Sequence, residues 1–172
     1  IERIMYNEFP YVFIIQGVIM KKIDTKTLTK IGIVAGIYVI FTIAFAPISY
    51  GQVQFRFSEM LTLLAFFNPI YVLSLTIGTF LANIASPLGP IDMVVGTIAT
   101  FFAVYPMTKV KNIWLASLFP AVSNGIIIGI QLNILFDLPL ILSMIYVALG
   151  ELIVVTLLGV PLMKILKKYI NF

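Results

Sequence analysis

Long apolar runs alternate with short polar connections along most of this chain. The first run able to cross a bilayer is 31–47, IGIVAGIYVIFTIAFAP, preceded by lysines and closed by proline. Polar residues then dominate 48–54, which predicts a loop. A second run, 58–67, breaks at Asn68-Pro69, a dipeptide that starts turns, and is short for a span unless its helix begins near Phe55. The third, 70–85, ends in SPLGP, where two prolines and a glycine force a tight turn. The fourth, 91–106, gives way to TKVKN. The fifth runs from 113 to about 132, and Pro120 is expected to kink it. After QLNILFDLP, where Asp137 is expected to N-cap the next helix, the sixth extends from 140 to about 163 and ends in KILKKYINF. The pattern predicts an all-α integral membrane protein with six transmembrane helices.

Residues 1–19 read differently. Their apolar part, 9–20, is interrupted by Pro10 and Gln16 and falls short of the ~20 residues of a span. An upstream extension or interfacial segment is expected there, since the basic n-region and small-residue cleavage site of a signal peptide are missing. Residues 20–172 are expected to form a single six-helix domain.

Composition agrees with the membrane reading. The chain is 61% hydrophobic and 10% charged, and its mean hydropathy of +1.11 is far above what a soluble globule tolerates. The net charge of +4 does not point to nucleic acid, because the basic residues form short clusters between apolar runs: Lys21, Lys22, Lys26 and Lys30, then Lys109 and Lys111, then Lys164, Lys167 and Lys168. With six spans these clusters fall on one face, which the positive-inside bias makes cytoplasmic along with both termini. Within 20–172, Arg56 is the one basic residue left on the outer face. With no cysteine and no histidine, disulfides, thiol nucleophiles, a Ser-His-Asp triad and the commonest zinc ligands are excluded. No phosphate-binding glycine loop is present, so the chain cannot itself use ATP, and no acidic cluster suggests a metal. Neither a cofactor nor an enzymatic activity is implied.

Against this background QVQFRFSEM needs an explanation, because Arg56 and Glu59 stand three residues apart where an apolar segment begins. Ionisable groups in a bilayer are costly and usually face a cavity, a partner or a ligand. Asn83, Asp92, Gln131, Asn133 and Asp137 are expected at similar height near the outer face. Asn124 and Glu151 are expected deeper, each about eleven residues into its span, roughly 16 Å at 1.5 Å per residue. Polar groups thus converge from one side, which predicts an outward-facing ligand pocket rather than a through-pore. Bland readings stand beside this one. Arg56 and Glu59 could neutralise each other, Asp92 could serve the helix dipole, and Asn83 and Asn124 could bond helices together. Glu151, near the midplane, is the hardest to explain without a ligand or a proton. Two GxxxG pairs, Gly32/Gly36 and Gly125/Gly129, allow close helix approach, either inside the bundle or, for Gly32/Gly36, against a partner subunit.

The order VQFRFSEMLTLLAFF, then SPLGPID, then VALGE followed by LLGVPL resembles the QueT family, substrate-binding S components of energy-coupling-factor (ECF) transporters for queuosine precursors. The resemblance covers about 20–168. It implies a cell-membrane, multi-pass subunit that captures 7-aminomethyl-7-deazaguanine or a relative from outside and works with a membrane coupling subunit and two ATPase subunits. It also implies that Glu59, Asp92 or Glu151 accepts the N1–H and 2-amino pair of the base. Arg56, Asn83, Asn124 or Gln131 would donate to O6, and Tyr50, Phe55 or Phe57 would stack on the ring. Gly32 and Gly36 occupy the place of the family's small-residue docking motif. The alternatives are an S component for riboflavin, thiamine or biotin, and a stand-alone proton-coupled carrier using Glu151.

Overall fold

The computed structural model describes residues 24–50 and 55–169. The extension at 1–19, Lys21, Lys22 and the first three residues of the QVQFRFSEM stretch lie outside the described residues. Helix α1 is Thr25–Ala44, and Asp24 caps it by accepting the Thr27 N–H at 2.8 Å. Its bond with Thr27 holds the Asp24 carboxyl below the usual carboxylate range. A short α2, Ala46–Ser49, opens on Pro47. Next come a 3-10 helix, Phe57–Leu63, and its continuation α3, Leu64–Phe67. Helix α4 is Tyr71–Ala82, extended by the 3-10 turn Asn83–Ala85. Helix α5, Pro90–Met107, starts with proline at its first position, after Gly89 has turned the chain with φ 62°.

The fifth run forms α6, Ile113–Ala116, and α7, Leu118–Phe136, with the break at Ser117. Proline lacks the N–H that would bond the carbonyl four residues back, so Pro120 interrupts the helix one turn before itself. The Thr156 hydroxyl donates to the Ser117 carbonyl at 3.2 Å. The sixth run is α8, Leu140–Glu151, then a π-helix, Leu152–Gly159, then α9, Val160–Leu166. Asp137 does not cap α8, whose N-cap is Pro139. It ends α7 instead, in the left-handed conformation at φ 53°. An aspartate tolerates that conformation better than most residues, and a sequence pattern does not separate the two uses.

This is a multi-pass membrane protein. Four helical stretches are long and apolar enough to cross a bilayer: Thr25–Ala44, Pro90–Met107, Ile113–Phe136 and Leu140–Leu166. The segments Phe57–Phe67 and Tyr71–Ala85 are shorter. At about 2.0 Å per 3-10 residue and 1.5 Å per α residue, the first of these reaches only about 20 Å, short of the ~30 Å hydrocarbon layer. Neighbouring packing runs α1 on α4, α4 on α5, α5 on α7 and α7 on α8. The 3-10 helix lies among them, touching α1, α4, α5 and the π-helix.

On α1 the buried stripe is Ile31, Ala35, Tyr38 and Thr42, while Ile33, Ile40 and Phe41 are exposed as lipid-facing residues would be. The main core gathers Leu63, Leu75, Met107, Val154, Val155 and Met163. The glycine pairs divide. A methyl on Gly129 would stand 2.8 Å from the Met144 Cα, and one on Gly125 would stand 3.0 Å from the Ala148 Cβ, so this pair seats α7 against α8. A methyl on Gly32 or Gly36 would meet nothing within 4 Å.

Gly129→Ala should therefore lower the thermal midpoint of the detergent-purified protein. Overpacking of about 1–3 kcal/mol exceeds the ~1 kcal/mol that alanine gains over glycine in a helix. Gly36→Ala should hold the midpoint or raise it. Equal behaviour of the two variants would contradict this packing.

Candidate functional site

The 3-10 pitch builds the site. With three residues per turn, side chains at i and i+3 eclipse, so Arg56, Glu59 and Thr62 line one edge, and all three are buried. The Thr62 hydroxyl donates back to the Glu59 carbonyl at 2.5 Å. Glu59 is 1% exposed, and its Oε1 accepts from the Tyr38 hydroxyl on α1. Arg56 Nη1 stands 3.9 Å from that same oxygen and its guanidinium carbon lies 5.3 Å from the Tyr50 ring centroid. One turn further along α1, the Thr42 hydroxyl shares a hydrogen bond of 2.6 Å with that of Ser58.

A second group forms where α4, α5 and α7 meet. Asn83 Nδ2 donates to the Asp92 carbonyl at 2.9 Å, and Gln131 Nε2 donates to Asp92 Oδ1 at 3.1 Å. Gly96 makes the first bond possible, because a Cβ there would collide with the Asn83 amide. The Tyr50 hydroxyl closes the same end by donating to the Ala82 carbonyl at 2.8 Å. A third group joins α7 to α8, where Asn124 Nδ2 donates to Glu151 Oε1 at 2.5 Å. Gln131 and Asn124 are seven residues apart on α7, so the second and third groups are separated by about 10 Å along the helix. Among the described residues the one ion pair is that of Arg56 with Glu59.

Most of the polar residues singled out from sequence thus fall into three buried groups, the first two sharing Tyr50. Arg56, Glu59, Asn83, Asp92, Asn124, Gln131 and Glu151 are all buried, at 8% exposure or less. Six of the seven keep a buried side-chain atom with no partner: Arg56 Nε, Glu59 Oε2, Asn83 Oδ1, Asn124 Oδ1, Gln131 Oε1 and Glu151 Oε2. Such atoms are rare in native interiors and call for a ligand or ordered solvent. Phe55 is half-buried against the main core, and Phe57 packs edge-on against Phe45 with centroids 5.0 Å apart. Asn133 ties down its own loop by donating to the Leu138 carbonyl at 2.6 Å. Gly32 and Gly36 lie on α1 away from these groups, with open space beside them.

Sequence reasoning missed Tyr38. The signal was present in its spacing to Thr42, which puts two hydroxyls one turn apart on a buried stripe that is otherwise aliphatic.

The family model for the QueT transporter matches residues 28–168. Among curated proteins, the queuosine precursor transporter QueT of Lactococcus lactis subsp. cremoris (strain MG1363) is similar, 45% identical over 83 residues. That stretch is 47% of this chain and 48% of the relative, so the match spans about half the relative's length. No solved structure matches.

A carboxylate placed for a ligand costs stability when the ligand is absent. Glu151→Gln keeps the acceptor used by Asn124 and removes the charge, so the ligand-free variant should melt at a higher temperature than the parent. It would recover part of the ~2.5–3.5 kcal/mol that an acidic group costs at mid-helix. A lower midpoint would mean that Glu151 serves the bundle instead.

Proposed function

Because the chain belongs to the QueT transporter family, we propose that it is the substrate-binding membrane subunit of an importer for a queuosine precursor, 7-aminomethyl-7-deazaguanine or a close relative. The observation that carries this reading is the pairing of an unpartnered donor, Arg56 Nε, with an unpartnered acceptor, Glu59 Oε2, from eclipsed residues on one 3-10 edge. A deazaguanine presents the complement, an O6 acceptor beside the N1–H and 2-amino donors. The carboxylate takes the two donors while the guanidinium takes O6. Tyr50, whose ring centroid lies 5.3 Å from the Arg56 guanidinium carbon, is the aromatic group that would stack on the base.

In this reading the chain crosses the membrane six times, with the two shorter segments completing the set, and both ends are cytoplasmic. The contacts of the basic residues support that orientation. Lys164 Nζ lies 4.9 Å from the Trp114 ring centroid and Lys167 Nζ lies 5.3 Å from that of Phe67, so the lysine-rich end of the last segment meets the start of the fifth, which follows Lys109 and Lys111, and the end of the second. Arg56 begins the segment that Phe67 ends, which puts the site toward the opposite, outer side. A membrane coupling subunit and two ATPase subunits would supply the energy, because the chain has no nucleotide-binding loop. The unpacked Gly32/Gly36 face of α1 is the surface offered to the coupling subunit.

Titration of the purified protein with 7-aminomethyl-7-deazaguanine, riboflavin and thiamine tests the ligand. The deazaguanine should bind, and Glu59→Gln should weaken it about 10- to 100-fold, as expected for losing a hydrogen bond to a charged group worth ~1.5–3 kcal/mol. Tight riboflavin or thiamine binding without deazaguanine binding would replace this reading with another vitamin subunit.

For the coupling, the chain reconstituted alone in liposomes should bind substrate without concentrating it. Accumulation driven by a proton gradient, with no ATPase subunits present, would make the protein a stand-alone carrier.

A further inference from the structure

The end of α9 concentrates positive charge that the fold does not neutralise. Lys164, Lys167 and Lys168 follow one another at three and four residues from the first, so they share one side of the helix end, where like charges repel. All three are exposed, and no carboxylate among the described residues pairs with them. Aromatic rings hold two of them instead. Lys164 Nζ stands over Trp114 and Lys167 Nζ over Phe67, at 4.9 and 5.3 Å from the ring centroids, and Lys109 Nζ stands 5.4 Å from that of Tyr105. A ring face fixes the position of an ammonium without cancelling its charge, and N–H groups turned away from the ring stay available.

The three rings come from different segments of one corner. Met107, Ala116 and Met163, from α5, α6 and α9, are buried in a single core cluster, with Phe67, Val110 and Leu166 packed against it. A lysine in the last turn of a helix also serves the helix dipole, and Lys164 does so in α9. That role needs no aromatic partner from another segment. Nor does it account for the apolar surface alongside. Trp114 is exposed, as are Leu115 beside it in the chain and Ile165 beside Lys164. Cations adjoining bare apolar side chains at the end of a membrane bundle complement an amphiphile with an anionic head. A free anion would leave the apolar part unused.

We propose that Lys164, Lys167 and Trp114 form a binding site for an anionic phospholipid. The two ammonium groups take the phosphate of the headgroup, the indole lies at headgroup level as tryptophan does in membrane interfaces, and the acyl chains run along Leu115 and Ile165. The site is independent of the substrate and of its identity. It lies at the Phe67 end of the segment that Arg56 opens, so the two sites stand at opposite ends of one short stretch of chain.

Trp114 is the one tryptophan of the chain and reports directly on its neighbour. The full chain is reconstituted at pH 7 in vesicles mixing phosphatidylglycerol with phosphatidylcholine, with the acyl chains of one or the other brominated, and quenching of the indole fluorescence gives the relative occupancy beside it. Phosphatidylglycerol should be preferred at least about tenfold, since each lysine near an anionic headgroup contributes about fivefold in affinity. Lys164→Gln/Lys167→Gln should bring the preference to within about threefold of unity, whereas Lys26→Gln/Lys30→Gln, which removes the same charge from α1, should leave it within about twofold of the parent. Inorganic phosphate added at constant ionic strength should not change it. No preference in the parent protein, an undiminished preference in Lys164→Gln/Lys167→Gln, or an equal loss in Lys26→Gln/Lys30→Gln would overturn the site, the last by showing a diffuse basic surface only. Loss of the preference on adding phosphate would overturn it in favour of a free anion. The parent preference and the phosphate arm need no variant, so poor folding of a mutant does not remove the test.

Discussion

The convergence of Tyr38 and Arg56 on one oxygen of Glu59 is the contact on which the rest of the structure depends. A carboxylate and a guanidinium cannot enter an apolar bundle separately without large desolvation penalties, and at 3.9 Å the ion pair alone is a loose one. The phenol of α1 supplies the missing hydrogen bond. By binding one oxygen it also settles which oxygen remains for other use. Thr42, one turn along α1, holds Ser58 in the same way, so the first helix presents two hydroxyls to the segment that carries the charged pair.

Two departures from regular α-helix make the geometry available. The 3-10 stretch at Phe57–Leu63 stacks Arg56, Glu59 and Thr62 in a line that an α-helix would fan out by about 60° at each step of three residues. The π stretch at Leu152–Gly159 lies directly against it, and Gly159 lets the two approach. A methyl there would already stand 3.1 Å from Leu63 Cδ1. Short π segments inside α-helices recur at functional sites, and this one begins at the residue after Glu151. Both irregularities flank the polar groups, while the long helices behind them stay regular and apolar toward lipid.

Much of this was legible in the chain, for physical reasons. In a membrane segment a polar residue must face inward, so Asn83, Asp92, Asn124, Gln131 and Glu151 could be assigned to the interior without knowing any contact. Their depth followed from counting residues along helices. Proline marked the break near Pro120 and the start of α5. What escaped was whatever depends on local helix pitch or on a dual-natured residue. An eleven-residue apolar run carries no sign of a three-residue turn. Tyrosine suits lipid, core and interface equally, so Tyr38 did not stand out. Asp137 suits both a helix start and a left-handed helix end, and only the chain direction at Leu138-Pro139 decides between them.

The shortness of Phe57–Phe67 has a consequence for how the protein is made. A stretch that reaches about two thirds of the hydrocarbon layer and opens on two charges has little reason to leave water alone. Its affinity for the bilayer interior is lent by its neighbours: the phenol and hydroxyl of α1, the glycine notch of the π-helix and the core residues of α4. Insertion of this protein is thus a matter of sequence in time. The helices with enough apolar length enter on their own hydropathy, and the charged segment is admitted into the space they leave. The Arg56–Glu59 edge is then the last part of the molecule to be assembled, and a chain halted before Leu140–Leu166 is in place has a membrane address but lacks the wall against which that edge packs.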